Sequence, residues 1–204
     1  MNVLNIRSSA NGAGSVSNRL ADAFLAKLDG AQVTVRDVGA QPLPHLVPET
    51  VAAIRATPST PAELEARALS DALIAELQAA DLIVIGSPMY NFGMSSTLRT
   101  WFDHVLRAGV TFRYTEAGPE GLLKGKKVIV IQSRAGLYSE GPAAAMDSQE
   151  PHLRTLLGFM GLDEDVTFVS AEKLAFGPEA AEAAIADAAA TLDRLAAQEP
   201  ALAA

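Results

Sequence analysis

One stretch decides the fold: Leu82-Ile83-Val84-Ile85-Gly86-Ser87-Pro88-Met89-Tyr90-Asn91-Phe92. Its first four residues are consecutive branched apolar side chains, which are typical of a strand buried on both faces of a parallel sheet. The run Val128 to Ile131 repeats this pattern. Segments with helical periodicity alternate with such runs along the chain, as they do when helices cover both faces of a parallel sheet.

Working outward from that stretch, the pattern predicts five strands and the helices between them. The predicted strands are Val3–Arg7, Gln32–Asp37, Leu82–Gly86, Val128–Gln132 and Val166–Ser170. The predicted helices are Val16–Leu28, a short one over Glu49–Ala56, Pro61–Ala80, one capped by Ser95 or Ser96 and ending near Ala108, Ala144–Met160 and Pro178–Ala197. This order predicts an α/β fold, a flavodoxin-like doubly wound five-stranded parallel sheet with helices on both faces. We expect a single domain over residues 1–204.

Composition excludes several classes of function. The formal charge of −8 argues against nucleic acid, because binding phosphate backbones requires clustered Lys and Arg. Cysteine is absent, which excludes disulfides and thiol catalysis. No apolar run approaches the ~20 residues of a membrane helix. The order of residues 1–7 does not resemble a signal peptide, so we expect a cytoplasmic protein without a membrane partner.

The loop after the first strand carries hydroxyl groups suited to a phosphate. Ser9, Ser15 and Ser17 can donate hydrogen bonds, and the helix that begins at Val16 adds backbone N–H groups and its dipole. A dinucleotide interpretation is also open, because glycines at 12 and 14 precede Asp37 by a suitable distance. Two features oppose the dinucleotide interpretation. Ser17 stands where that motif has its third glycine, and several residues separate the first strand from Gly12, whereas the motif begins almost at the end of the strand. An ordinary solvated connection is the remaining alternative.

The loops after the third and fourth strands belong at the same sheet edge, where ligands of such folds bind. Met89, Tyr90 and Phe92 offer flat apolar surface, and the Asn91 amide offers hydrogen bonds, as a flavin ring requires. A core-packing aromatic cluster is the alternative. The loop Ser133 to Tyr138 brings backbone N–H groups or a cation, Arg134, towards a reduced, anionic flavin; an ordinary turn with a surface arginine is the alternative there.

Metal or triad chemistry is not indicated by the histidines. His45, His104 and His152 fall in three separate segments, and no two of them have ligand spacing on one helix face. We therefore expect no metal site.

The chain resembles a known family, the bacterial FMN-dependent NADH azoreductases, which are also NADH:quinone oxidoreductases. The resemblance covers essentially the whole sequence and is most specific at Pro88 to Phe92. It continues through Trp101-Phe102-Asp103, the segment Arg107 to Glu116, Ser133-Arg134 and Leu157-Gly158-Phe159.

The resemblance implies a cofactor, its site and a reaction. FMN would be bound tightly but non-covalently, and NADH or NADPH would reduce it before a quinone or azo acceptor takes the electrons in a ping-pong cycle. The implied cofactor-binding residues are Ser9, Ser15, Val16, Ser17, Pro88, Met89, Tyr90, Asn91, Phe92, Ser133, Arg134, Ala135 and Gly136. It further implies a homodimer with its active site at the subunit interface. It also implies that Tyr114 and Phe159 flank the substrate from across that interface, and we expect Tyr138 to contact the substrate as well.

Two departures from the family pattern and one alternative function accompany this hypothesis. Ser95 stands where proline is common, and Ala135 stands where glycine is usual. The first changes how a helix begins, and the second adds a methyl group close to the flavin.

The alternative function is that of a flavodoxin-type carrier, which passes single electrons between protein partners. The aromatic segment Phe112 to Tyr114 and the proline-rich segment 41–61 favour a built substrate pocket instead.

Overall fold

A five-stranded parallel sheet forms the centre of the computed structural model, which describes residues 1–198. The strands are β1 (Asn2–Arg7), β2 (Gln32–Asp37), β3 (Leu82–Pro88), β6 (Lys127–Ser133) and β7 (Asp165–Ala171). Their order across the sheet is β2-β1-β3-β6-β7, and every neighbouring pair is parallel. The predicted doubly wound, flavodoxin-like topology is confirmed.

Helices cover both faces of the sheet. The helices are α1 (Val16–Leu25), α2 (Pro48–Arg55), α3 (Pro61–Ala79), α4 (Ser96–Val105), α5 (Glu150–Phe159) and α6 (Pro178–Ala196). Helices α1 and α6 pack on one face through residues such as Phe24 and Leu192. Helices α3, α4 and α5 pack on the other face around Trp101, which is fully buried. Burial on both faces explains why β3 and β6 are continuous apolar runs.

A separate antiparallel hairpin follows α4. It consists of β4 (Phe112–Thr115) and β5 (Gly118–Gly121) and packs against the end of α5. The two backbones approach so closely that a Cβ on Gly121 would lie 2.0 Å from the nitrogen of Gly161. Glycine at position 121 is therefore required for the hairpin to dock where it does.

Three predicted helix boundaries are wrong. The helix α1 ends at Leu25 and not at Leu28. The helix α4 ends at Val105 and not near Ala108, because the Thr111 hydroxyl donates to the Val105 carbonyl at 2.7 Å and accepts from the Arg107 N–H at 3.0 Å. The helix predicted from Ala144 begins only at Glu150, after a 3-10 turn over Ala144–Met146. An Asp147 carboxylate oxygen accepts from the backbone N–H groups of Gln149 and Glu150 and so starts α5 there.

None of the helices in residues 1–198 is both long enough and apolar enough to cross a bilayer.

Candidate functional site

A cleft of about 510 Å³ opens at the carboxyl edge of the sheet, between the loops that follow β1, β3, β6 and β7. Eight of the predicted cofactor-binding residues line it: Ser9, Ser15, Val16, Pro88, Met89, Tyr90, Ser133 and Ala135. The remaining lining residues are Ala10, Asn11, Gly14, Leu174 and Ala175. Among these thirteen residues, all within the described chain, no side chain is charged. The cleft is therefore suited to a ligand held by hydrogen bonds and apolar contact.

Helix α1 points its N-terminus at one end of the cleft. Ser15 is the N-cap, and its hydroxyl accepts from the Asn18 N–H at 3.2 Å. The backbone N–H groups of Val16 and Ser17 find no acceptor among residues 1–198. Ser17 is fully buried beneath the cleft surface, with its hydroxyl oxygen 3.3 Å from that of Ser15. Free N–H groups, two hydroxyls and the helix dipole together suit a phosphate.

The aromatic loop forms a tight turn beside this end. Tyr90 and Gly93 exchange two backbone hydrogen bonds, of 2.9 and 3.0 Å, and between them Asn91 and Phe92 adopt left-handed φ angles of 47° and 69°. Such angles are uncommon outside glycine and occur mainly where the surroundings impose them. The turn places Pro88, Met89 and Tyr90 on the cleft wall, whereas Asn91 and Phe92 are exposed at its rim. The alternative of a buried packing cluster is therefore wrong.

The loop after β6 forms the opposite border of the cleft. Ala135 is exposed and is one of the residues that line it. The backbone carbonyls of Ala135 and Gly136 accept from Ala175 and Lys173 at 3.0 and 2.8 Å. Their own N–H groups have no acceptor within residues 1–198 and remain available to a ligand.

Arg134 does not occupy the position expected for a cation near the flavin. Its side chain is 1% exposed and turns away from the cleft into a network of acidic groups. Asp147 and Glu172 lie 3.0 and 3.2 Å from the guanidinium, Glu150 lies 3.7 Å away, and the Gln149 amide oxygen accepts at 3.1 Å. The Arg134 backbone N–H also donates elsewhere, to Ala171 at 2.9 Å. Arg134 therefore ties loops together behind the cleft.

Glu172 and Gln149 were not predicted from the sequence. Gln149 is fully buried and donates to Ser87 at the end of β3, at 2.8 Å to its carbonyl and 3.0 Å to its hydroxyl. Burial opposes ionisation of Glu172, but hydrogen bonds from Ser139, Tyr138 and Arg134 outweigh it and hold the pKa of that carboxyl below its ordinary value. A signal for the missed lining residues Leu174 and Ala175 did exist, because they directly follow the last strand of the same sheet edge.

The three predicted substrate residues fall in two places. Tyr138 is not a lining residue but lies beside the cleft: its ring packs on Gly136, next to the lining residue Ala135, and meets Phe92 edge-on with centroids 6.0 Å apart. Tyr114 and Phe159 lie outside the cleft lining, in a cluster with Phe112 at centroid distances of 5.6 and 4.6 Å from it. Tyr114 is 73% exposed. One chain therefore does not bring all three residues to its own cleft.

Comparison with known proteins agrees with this geometry. A family model described as a flavodoxin-like fold matches residues 1–196. An FMN-dependent NADH:quinone oxidoreductase from Hyphomonas neptunium is 60% identical over 191 residues, which are 92% of this chain and 91% of the relative. The chain belongs to the flavodoxin-like family of FMN-dependent NADH:quinone oxidoreductases.

Further members of this oxidoreductase family extend the agreement. FMN-dependent NADH:quinone oxidoreductase 6 from Burkholderia lata is 54% identical over 193 residues, which cover 91% of this chain and 95% of that protein. The crystal structure of an azoreductase from Bacillus anthracis superposes with a TM-score of 0.88 at 28% identity, over 98% of this chain and all of that one. The chain is thus similar both to proteins named for quinone reduction and to one named for azo reduction.

Proposed function

We propose that this chain is an FMN-dependent oxidoreductase that uses NADH or NADPH to reduce quinones and azo compounds by ping-pong two-electron transfer. One observation carries the proposal: the free N-terminus of α1, the apolar wall Pro88 to Tyr90 and the free N–H groups of Ala135 and Gly136 border one uncharged cleft. Its volume of about 510 Å³ falls within the range of small-molecule and cofactor sites.

The residues present fit FMN. Ser9, Ser15 and Ser17, with the N–H groups of Val16 and Ser17, would hold the phosphate at the helix N-terminus. The ring would rest on the wall and rim formed by Pro88, Met89, Tyr90, Asn91 and Phe92, and border Ser133, Ala135 and Gly136 on the other side. Arg134 would act on this border from behind, through the loop that it fixes.

Bound FMN would supply the redox chemistry, taking two electrons from the nicotinamide and passing them to the acceptor. The chain's own residues would bind and orient the cofactor and the substrates, and would exclude water from the site. The cleft lining within residues 1–198 holds no Asp, Glu, His, Lys or Arg, so no carboxylate, imidazole, amine or guanidinium is positioned there to move a proton. We expect no side chain of this cleft to be essential in the way that a triad serine is.

A homodimer would complete the site. Tyr114 exposes 73% of its surface on a hairpin remote from its own cleft, and Phe159 packs in the same aromatic cluster. We infer that this cluster contacts the substrate in the cleft of a second copy. Sedimentation and activity at matched concentrations test this; full activity from a monomer at low micromolar concentration would contradict it.

The extent and location of the protein belong to the same proposal. The two apolar clusters pack on opposite faces of one sheet, which supports a single domain over residues 1–204. A cytoplasmic location would give the enzyme its nicotinamide donor, and cell fractionation tests it. The alternative of a one-electron carrier is not favoured, since the named relatives are oxidoreductases.

The deciding experiment is anaerobic titration of the purified, FMN-loaded protein with NADH and, separately, NADPH. We expect rapid loss of the flavin's yellow colour at one equivalent of donor and its return when a quinone is added. Flavin that stays oxidised with both nucleotides would contradict the proposal. Steady-state rates with a small panel of quinones and azo compounds would then identify the preferred acceptor.

A further inference from the structure

Glu172 concentrates its hydrogen bonds on the short loop that carries Tyr138. It directly follows β7, and one of its carboxylate oxygens accepts from the backbone N–H groups of Tyr138 and Ser139 at 2.9 and 3.1 Å. Its other oxygen accepts from the Ser139 hydroxyl. The Glu172 side chain is 11% exposed, so these bonds are largely shielded from water. Charge-assisted bonds of this kind are about twice as strong as neutral ones.

The bonds fix the position of the Tyr138 ring. The ring lies against Gly136, where an added Cβ would come within 3.0 Å of it, and it meets Phe92 edge-on. Tyr138 and Phe92 therefore form a continuous aromatic rim on one side of the cleft. Ser139 is exposed, and among the described residues the bonds to Glu172 are the hydrogen bonds that hold Tyr138 and Ser139.

We propose that Glu172 is a positioning residue: it holds Tyr138 on the rim and thereby sets the affinity of the site for its electron acceptor. The inference rests on the proposed function, since it concerns the acceptor of that reaction. Glu172 itself does not line the cleft, so it acts through Tyr138.

The rest of the cleft border keeps its anchors without Glu172, because Arg134 loses that one contact but retains Asp147 at 3.0 Å and Gln149 at 3.1 Å. The carbonyls of Ala135 and Gly136 accept from the backbone at Ala175 and Lys173, and the phosphate end lies on α1. Loss of the Glu172 carboxylate would therefore release Tyr138 and Ser139 while the groups that contact FMN stay in place. This separates a positioning role from a general loss of structure.

The chain offers a matched control in Glu150. Both carboxylates face the same buried guanidinium of Arg134, Glu172 at 3.2 Å and Glu150 at 3.7 Å. Glu150 otherwise bonds to Arg154 and makes no contact with the Tyr138 loop among the described residues. Glu150→Gln thus removes one negative charge from the same network without touching the loop.

The test compares Glu172→Gln with Glu150→Gln by two readouts. In FMN-free protein, amide hydrogen exchange at Tyr138 and Ser139 should be about tenfold faster in Glu172→Gln, because a charge-assisted acceptor is replaced by a neutral one. In loaded protein, KM for the quinone should rise about tenfold while kcat and the Kd for FMN change less than about twofold. Glu150→Gln should leave the exchange and the KM unchanged.

Two outcomes would overturn the inference: unchanged exchange at both amides in Glu172→Gln, or equal changes in both variants. If Glu172→Gln does not fold, Ser139→Ala removes only the hydroxyl bond and should raise the same exchange rate and KM by a smaller factor; no change there also overturns it. A wild-type protein that fails to oxidise NADH would contradict the proposed function, whereas the exchange measurement in FMN-free protein tests Glu172 regardless.

Discussion

The hydroxyl of Tyr90 lies 3.1 Å from the backbone nitrogen of Ala10 and accepts its hydrogen bond. The same hydroxyl is 3.4 Å from that of Ser9. The ring wall after β3 is thus joined to the serine loop after β1, although eighty positions separate the two residues in the chain. The turn after β3 and the serine loop therefore form one unit, and the geometry of one depends on the other.

Tyr90→Phe should weaken FMN binding about fivefold, because losing the hydrogen bond to Ala10 costs on the order of 1 kcal/mol and loosens the serine loop. Fluorescence titration of the FMN-free protein with FMN measures this. Thr191→Ala is the control, since it removes a hydroxyl that bonds to Asp187 within α6, outside the cleft lining. Equal FMN affinity in wild type and Tyr90→Phe would show that the bond does not support the loop.

Ser15→Ala should lower both the stability and the FMN affinity of the protein. The substitution removes the N-cap of α1, which costs about 1 kcal/mol of unfolding free energy. It also removes a hydroxyl from the end of the cleft where we propose that the FMN phosphate binds. Ser95→Ala removes the corresponding cap of α4, where Ser95 accepts from the Leu98 N–H at 3.1 Å. Urea unfolding should show similar decreases in the free energy of unfolding for the two variants, whereas only Ser15→Ala should weaken FMN binding. If Ser95→Ala weakens it equally, Ser15 has no specific role.

Gly39→Ala should displace the serine loop. A Cβ on Gly39 would lie 2.2 Å from the carbonyl oxygen of Ser9, a contact that no rotamer change relieves. We expect a loss of roughly 1–3 kcal/mol in stability, as for other overpacked sites, together with weaker FMN binding. At Gly93 the nearest atom to an added Cβ is 3.9 Å away, so Gly93→Ala should be tolerated. Thermal unfolding and FMN titration of both variants check this, and a Gly39→Ala protein that binds FMN normally would contradict it.

The stability of the protein should fall in acid partly through Glu172. Its folded-state pKa is lowered, so the unfolded chain binds more protons and the ionised carboxylate stabilises the fold. That contribution is complete above pH 4.5, the ordinary pKa of the group, and is lost as pH falls towards the lowered value. Urea midpoints at several pH values should therefore converge for wild type and Glu172→Gln below pH 4.5. A difference that is constant with pH would exclude this linkage.

Sequence patterns predicted the sheet because its central strands, β3 and β6, are buried on both faces and so form continuous apolar runs. Four consecutive branched apolar residues, Leu82 to Ile85, are typical of a buried parallel strand. Each of the five predicted strands overlaps the observed one. Helix ends were less predictable because distant or flanking side chains set them. The Thr111 hydroxyl ends α4, and Asp147 starts α5. Neither bond follows from the periodicity of the helix itself.

The position of the cleft could also be predicted from the sequence, whereas the direction of the Arg134 side chain could not. Loops that follow parallel strands meet at one edge whatever their detailed shape, so the serine and aromatic loops had to lie near each other. The direction of the Arg134 side chain depends on Asp147 and Glu172, which approach it from different loops. No local pattern shows that these carboxylates converge, and an arginine beside a predicted anion site is naturally expected to face it.

The uncharged lining of the cleft has a consequence for how the two substrates arrive. A neutral quinone meets no charged side chain on the wall, so its capture should be insensitive to ionic strength. A nicotinamide dinucleotide is anionic and approaches a protein of formal charge −8, so mutual repulsion should slow it in dilute buffer. Added salt should therefore accelerate the donor half-reaction and leave the acceptor half-reaction unchanged, and stopped-flow measurements of the two halves can separate them.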